Sequence, residues 1–221
     1  MKSKLRTSPF RSRQSTLAAA VLAQFPDDAQ SMIYLEPFAT GISVLLNKPK
    51  ADHETVNDLD AGAVRILRVL RDTPKEFTQK LRRTKCTEET YLRALSRGQP
   101  ADEFDGATTE FILRRMGRPG IARFRHDPGW EAAVRALPQI AERLRDVNVF
   151  SKPAGYVLSA YNEKNALCYC CLTGGEPVPD KLLTFRGKVV VTGDPDMYQK
   201  QFSEWTRVRS AGLSVGMWKN Y

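Results

Sequence analysis

A short apolar run and a second short run, each ending in acid, lie close together near the front of this chain. They constrain its fold more than any other stretch. Ile33-Tyr34-Leu35 runs into Glu36-Pro37, and Thr55-Val56-Asn57 runs into Asp58. Between them lie a turn containing Gly41, an apolar segment Val44-Leu45-Leu46, and Pro49. The pattern reads as strand, tight loop, short helix, loop, strand, the opening of an α/β sheet. Open sheets of this kind collect ligands at the carboxyl ends of their strands, where Glu36 and Asp58 would stand side by side. A carboxylate only accepts hydrogen bonds, so the pair suits hydroxyl or ammonium groups better than phosphate. The plainer alternative for each is a helix cap or a solvated charge. One glycine stands where phosphate-cradling loops carry three, which excludes a dinucleotide or nucleoside triphosphate fingerprint.

The rest of the chain extends this beginning. Gln14 to Phe25 reads as a helix capped by Ser15 or Thr16, and Asp60 to Arg71 as a helix with Val64, Leu67 and Leu70 at helical spacing. From 73 to 128 the texture changes: helical segments at Lys75 to Arg83, Glu88 to Leu95 and Thr109 to Met116, a loop from Gly98 to Gly106, and a flexible basic stretch, GRPGIARFRHDPG, with no strand pattern. The sheet then resumes. Glu131 to Arg145 is helical, with Pro138 expected to end or kink a turn. Strands follow at Val147 to Phe150, Ala166 to Cys170 and Lys188 to Thr192, then a short helix from Met197 to Glu204. Trp205 to Arg209 and Leu213 to Trp218 read as a closing antiparallel pair. The expected class is a three-layer, Rossmann-like α/β domain with a mixed seven-stranded sheet, built from 1–72 and 129–221, with 73–128 as a basic helical insertion.

At 221 residues and 42% hydrophobic content, the chain fits one domain carrying an insertion. No apolar run approaches the ~20 residues of a membrane span. The basic N-terminus lacks the apolar stretch of a secretory signal. Four cysteines and two distant histidines form no metal-ligand framework, so no metal is expected. A reducing intracellular compartment, such as the cytoplasm, is the default. Cys168 and Cys170 fall on one strand face and Cys171 on the other; small buried hydrophobes are the plain reading, a reactive thiol at Cys171 the alternative. The net charge of +9 is concentrated in an N-terminal arm, in a run from Arg65 to Lys85, and around Arg114 to Arg125. That balance favours a polyanionic partner, with ordinary solubility as the alternative.

Glu36-Pro37-Phe38-Ala39-Thr40-Gly41-Ile42-Ser43-Val44 and Val56-Asn57-Asp58-Leu59-Asp60, with AVRILRVLRDTPKEF, LPQIAERLRDVNV and FRGKVVVTGDPDMY in matching order, resemble the Dam-type DNA adenine methyltransferases. Those enzymes transfer a methyl group from S-adenosylmethionine to the exocyclic amine of adenine. The resemblance implies a methyltransferase fold, with Glu36, Phe38, Gly41 and Asp58 at a vestigial or weak cofactor site. It also makes the insertion a target-recognition region, in which Arg82, Arg83, Arg114, Arg115, Arg118 and Arg123 would meet nucleic acid.

The departures fall on the chemistry. Where the family has Asp-Pro-Pro-Tyr after the fourth strand, this chain has Cys171, Leu172, Thr173 and Gly174. The acceptor for the adenine amine and the ring that stacks on the flipped base are thus missing. Pro153 replaces the aspartate that holds the cofactor's adenine, Ile42 or Ser43 replaces a glycine of the first motif, and no Gly-Gly-Lys precedes the first helix. Asp194-Pro195-Asp196-Met197-Tyr198 has the look of the catalytic motif but reads as a capped turn. The leading reading is a methyltransferase-like protein without transferase activity, with no or weak S-adenosylmethionine binding. It would act on DNA, RNA or a partner protein, with DNA favoured. The alternatives are an active divergent adenine methyltransferase and a scaffold without nucleic-acid contact.

Overall fold

The computed structural model describes residues 8–10, 17–39, 41–118, 120–172, 175, 177–210 and 213–221; at 207–210, 213 and 214 it describes the backbone. The charged residues of the basic arm, the Ser15 or Thr16 cap, and Thr173 and Gly174 lie outside the described residues. In chain order the elements begin with α1 (Ala18–Leu22), β1 (Ile33–Glu36), α2 (Ser43–Asn47) and β2 (Glu54–Asn57). There follow α3 (Ala61–Asp72), α4 (Pro74–Arg82), α5 (Glu88–Leu95), α6 (Glu103–Met116), β3 (Gly117–Arg118), β4 (Ile121–Phe124) and α7 (Trp130–Leu144). The chain closes with β5 (Val147–Phe150), α8 (Ala154–Ala160), β6 (Ala166–Leu172), α9 (Asp180–Leu183), β7 (Lys188–Gly193), α10 (Pro195–Tyr198), β8 (Thr206–Ser210) and β9 (Leu213–Lys219). It divides into two compact units, one holding the large sheet and the other spanning 60–145 together with Ser8 to Phe10.

The sheet unit is a mixed α/β structure. Its seven strands run in the order β5-β2-β1-β6-β7-β9-β8. The first five are parallel, and β9 joins β7 and β8 in antiparallel register. β6 sits at the middle and is buried along its whole length, which explains why ALCYCCL reads as a continuous apolar run without alternation. One sheet face, with Leu35, Cys168, Cys170, Leu172, Val189 and Val191, packs in one cluster with Val157 and Leu158 of α8, Leu182 of α9 and Tyr198 of α10. Cys168 Sγ and Cys170 Sγ lie 3.6 Å apart there as buried small side chains, while Cys171 takes the opposite parity. Strand order reverses between β1 and β6, so the switch point of the sheet lies at the carboxyl ends of these two strands.

The second unit is helical, with a small hairpin. Asp60 caps α3 by accepting from the Ala63 N–H at 3.1 Å, and Thr87 and Asp102 cap α5 and α6 in the same way. Its interior is a chain of edge-on aromatic contacts: Phe104 on Phe77 at 5.9 Å, Phe77 on Phe111 at 6.0 Å, and Phe111 on Trp130 at 5.5 Å between ring centres.

Four expectations are corrected. The basic stretch expected as a flexible loop is partly ordered as the β3–β4 hairpin, with Gly120 at φ +77° supplying the left-handed turn; a two-residue strand is too short to show alternation in sequence. α6 starts at Glu103, six residues before the expected Thr109, because Asp102 is a cap. α7 runs through Pro138, since one missing N–H does not outweigh the buried face of Val134, Leu137, Ala141 and Leu144. β6 continues through Cys171 and Leu172, so the first half of the tetrad expected after the strand lies within it.

Phe111 joins two of the three ring contacts and is fully buried. Phe111→Ala is expected to destabilise the helical unit by ~3–5 kcal/mol, measured by urea unfolding. A loss under ~1 kcal/mol would show that the aromatic chain is not its core.

Candidate functional site

The candidate site is the carboxyl edge of β1, β2, β5 and β6. Its geometry starts from Glu36, which ends β1 and is 2% exposed. A carboxylate buried this deeply needs partners, because its desolvation is costly. Glu36 Oε1 accepts from the Tyr34 hydroxyl at 2.6 Å and from the Leu45 N–H at 2.8 Å. The first partner lies two residues back on the same strand face. The second comes from α2, so the carboxylate ties the strand to the helix that follows it. Ile42 precedes α2 at φ +37°, a left-handed conformation that is rare for a β-branched residue, and its side chain is buried. Gly41 is buried beside it, and its carbonyl accepts from the Ser43 hydroxyl at 3.2 Å. At the other end of α2, Lys48 makes a buried ion pair with Glu54 of β2 at 2.5 Å and lies 4.4 Å from the centre of the Tyr34 ring.

A second closure joins β1, β2 and β5. The buried Asn57 amide donates to the carbonyls of Pro37 at 3.1 Å and Lys152 at 2.9 Å, and its oxygen accepts from the Lys152 N–H at 2.9 Å. Backbone bonds from Ala39 to Asn57 and from Asp58 to Phe150 reinforce it. The loops leaving three neighbouring strands are therefore sewn to one side chain. Asp58, next in the chain, is half-buried at the same edge. Phe38 is partly buried against the apolar cluster. Pro153 is exposed at the start of α8 and offers no side-chain acceptor.

On the face shared by Tyr34 and Glu36, Tyr169 of β6 hydrogen-bonds Thr192 of β7 at 3.0 Å. Burial pushes the Tyr169 phenol well above the ordinary tyrosine range, and neighbouring Cys171 adds to this, while the Thr192 contact acts the other way. Burial, followed by the Glu36 carboxylate, pushes the Tyr34 phenol up in the same sense. Cys171 itself is buried, and Leu172 beside it is fully so. Sequence pattern alone puts the weight of this edge on Glu36 and Asp58 and passes over Asn57 and the two tyrosines. The signal it does contain is the neighbour of the acid, a polar amide at the last position of the strand.

The basic residues divide. Arg82 and Arg83 are exposed at the end of α4, and Arg118 and Arg123 are exposed on the hairpin. Arg114 is half-buried, pairing with Asp60 at 2.6 Å and Glu110 at 3.3 Å, and Arg115 is buried against Asp127 at 2.6 Å. Those two hold the helical unit together. Among the described residues no group of histidine, cysteine, aspartate and glutamate side chains is arranged to hold a metal ion, and no helix is long and apolar enough to cross a membrane. No protein-family model and no curated protein matches this chain. The resemblance to the Dam-type enzymes thus stands on its sequence motifs alone.

Removing the Asn57 amide strands three backbone groups, one buried and two partly buried. Asn57→Ala is expected to cost ~3 kcal/mol or more, read by chemical unfolding; a neutral result would mean that the clasp contributes nothing. The tyrosines predict a pH dependence. In the unfolded chain they ionise near pH 10. Their folded values lie higher, so the native state keeps protons that the unfolded state releases. The resulting stability is complete below about pH 10 and is lost as pH rises beyond it. Stability should fall there by ~1.4 kcal/mol per pH unit for each tyrosine, and Tyr34→Phe or Tyr169→Phe should each flatten the decline. An unchanged alkaline profile in both variants would contradict the assignment.

Proposed function

We propose that this chain is a methyltransferase-like α/β protein that transfers no methyl group, and that it binds nucleic acid through the exposed basic residues of its helical unit. The observation that carries the first half is the bonding of Glu36. In the doubly wound strand order, ligands lie where the order reverses, here between β1 and β6. At that place Glu36 is buried against Tyr34 and Leu45, Ile42 is buried at the turn, and Asn57 draws the neighbouring loops together. These residues do not fit S-adenosylmethionine: the strand-end carboxylate is engaged inside the fold, and Pro153 cannot accept from an adenine amine. Cys171 is a poor acceptor, buried within β6, and Leu172 beside it has no polar group. A delocalised adenine amine needs preorganised acceptors whose single members are commonly worth ~3–4 kcal/mol, so their loss removes the means of transfer.

The second half rests on charge. Arg82, Arg83, Arg118 and Arg123 are exposed and make no ion pair among the described residues, in a chain of net charge +9. Such residues match phosphate backbones, and DNA is favoured over RNA by the resemblance. A protein partner is the second reading; Leu92, Leu95 and Ile121, exposed in the same unit, favour it.

Two measurements test this. Labelled S-adenosylmethionine incubated with single- and double-stranded DNA of mixed sequence should leave no methyl label above background. Incorporation that disappears in Asp58→Ala would instead establish an active, divergent enzyme. DNA should bind with little sequence preference and weaken steeply as salt rises. Arg118→Glu with Arg123→Glu should weaken all sequences alike and lower the slope of log K against log salt by about one unit for each phosphate no longer neutralised. Absence of binding at low salt would leave the partner-protein reading in its place.

A further inference from the structure

Within the helical unit, α4 and α7 face one another across a groove of about 500 Å³. Each helix lines it with one stripe. Lys75, Thr78, Gln79 and Arg82 recur at i, i+3, i+4 and i+7 on α4, and Pro138, Ala141, Glu142 and Arg145 do so on and just after α7. Arg71, from the last turn of α3, and Pro74 complete the wall. Each stripe extends for ~10 Å, seven residues at the helical rise. Four cations therefore border the groove against one lining carboxylate, Glu142, which pairs with Arg145. Asp72 pairs with Arg71 at 2.6 Å outside the lining. Lys75 and Arg82 are exposed and make no ion pair among the described residues.

A separate observation concerns the wall of the same groove. Thr78 lines it, is only 4% exposed, and its hydroxyl has no hydrogen-bond partner among the described residues. A helical threonine ordinarily bonds the carbonyl one turn back, and a buried hydroxyl left unmade is a standing cost. The hydroxyl is itself closed off from solvent in the groove wall, so it is a donor that an anionic oxygen would complete once the side chain turns toward the groove.

We propose that this groove seats the sugar–phosphate backbone of one nucleic-acid strand, with Lys75, Arg82, Arg145 and Arg71 meeting successive phosphates and the Thr78 hydroxyl donating to one of them. The proposal rests on the nucleic-acid reading above and names where the backbone lies. Length decides for an extended polyanion over a single small anion: the cations are strung along the helices instead of converging on a point. Guanidinium forks match the several oxygens of a phosphodiester, and Pro74, Pro138 and Ala141 give the sugar an apolar wall.

The test is fluorescence anisotropy of a labelled single-stranded oligodeoxynucleotide with the full chain, titrated at several salt concentrations. Lys75→Glu with Arg82→Glu should lower affinity at low salt by about 30-fold or more and reduce the salt slope by about two units. Thr78→Val keeps the side-chain shape and removes an unpaired hydroxyl. It should lower affinity by about three-fold or more while leaving the urea midpoint unchanged or raised, a pairing of effects that a purely structural threonine would not give. If the unmodified protein binds and both groove variants bind equally well, the groove is overturned while the basic-surface reading stands. If the unmodified protein does not bind at low salt, both fail. Displacement of the oligonucleotide by polyglutamate at equal charge concentration would overturn the groove as a phosphate site and assign it to an acidic peptide.

Discussion

Burying a carboxylate at the end of a strand obliges the chain to supply hydrogen bonds for it, and much of the sheet's carboxyl edge follows from how Glu36 is supplied. Its acceptor oxygen takes one bond from Tyr34 and one from the Leu45 N–H. The second requires α2 to start where it does, and reaching that start requires Ile42 to hold a left-handed backbone. The far end of α2 is then fixed by the buried pair of Lys48 and Glu54, with Lys48 beside the ring of Tyr34. Such a pair adds little net stability against an apolar substitute, but losing either member alone would be severe. Tyr34, Glu36, Lys48 and Glu54 thus form one buried polar assembly linking β1, α2 and β2.

The same edge is where an open α/β sheet ordinarily offers its binding groups. Here those groups face inward. Asn57 spends its whole amide on the loops of β1 and β5, and Cys171 and Leu172 are taken into β6. Within the helical unit, exposed charge is unevenly available. Arg114 and Arg115 brace that unit through Asp60 and Asp127, whereas Arg82, Arg83, Arg118 and Arg123 are exposed. The proposed division of labour, a sheet that supports and a helical unit that binds, rests on the inward bonding of the edge and on the exposed arginines of the helical unit.

The elements with strong local signals were legible in the sequence. β1 and β5 are short, largely apolar runs with sharp ends, β2 is a short run stopped by acid, and α5 has a threonine cap followed by acids and a helical apolar spacing. The start of α6 was hidden because Asp102 sits among loop-forming residues, and the hairpin because β3 has two residues and β4 is largely exposed, with no buried face to pattern it. Pro138 misled because sequence shows the lost N–H and not the packing that outweighs it. At the candidate site, the acid ending an apolar run located Glu36 but not its partner nine residues on, and charge counting could not separate arginines that brace the fold from those left to solvent. The residues after Leu172 that would complete the comparison with the catalytic tetrad, Thr173 and Gly174, lie outside the described residues.

Calorimetric titration of the intact chain with S-adenosylmethionine tests most directly whether the sheet edge is closed by its own side chains. With Glu36 bonded internally and no adenine acceptor at Pro153, no saturable heat should appear at submillimolar cofactor, since each missing buried hydrogen bond to a ligand weakens binding by roughly ten-fold or more. A micromolar dissociation constant that is lost in a folded Asp58→Ala variant would contradict the closed edge and return this surface to a cofactor site.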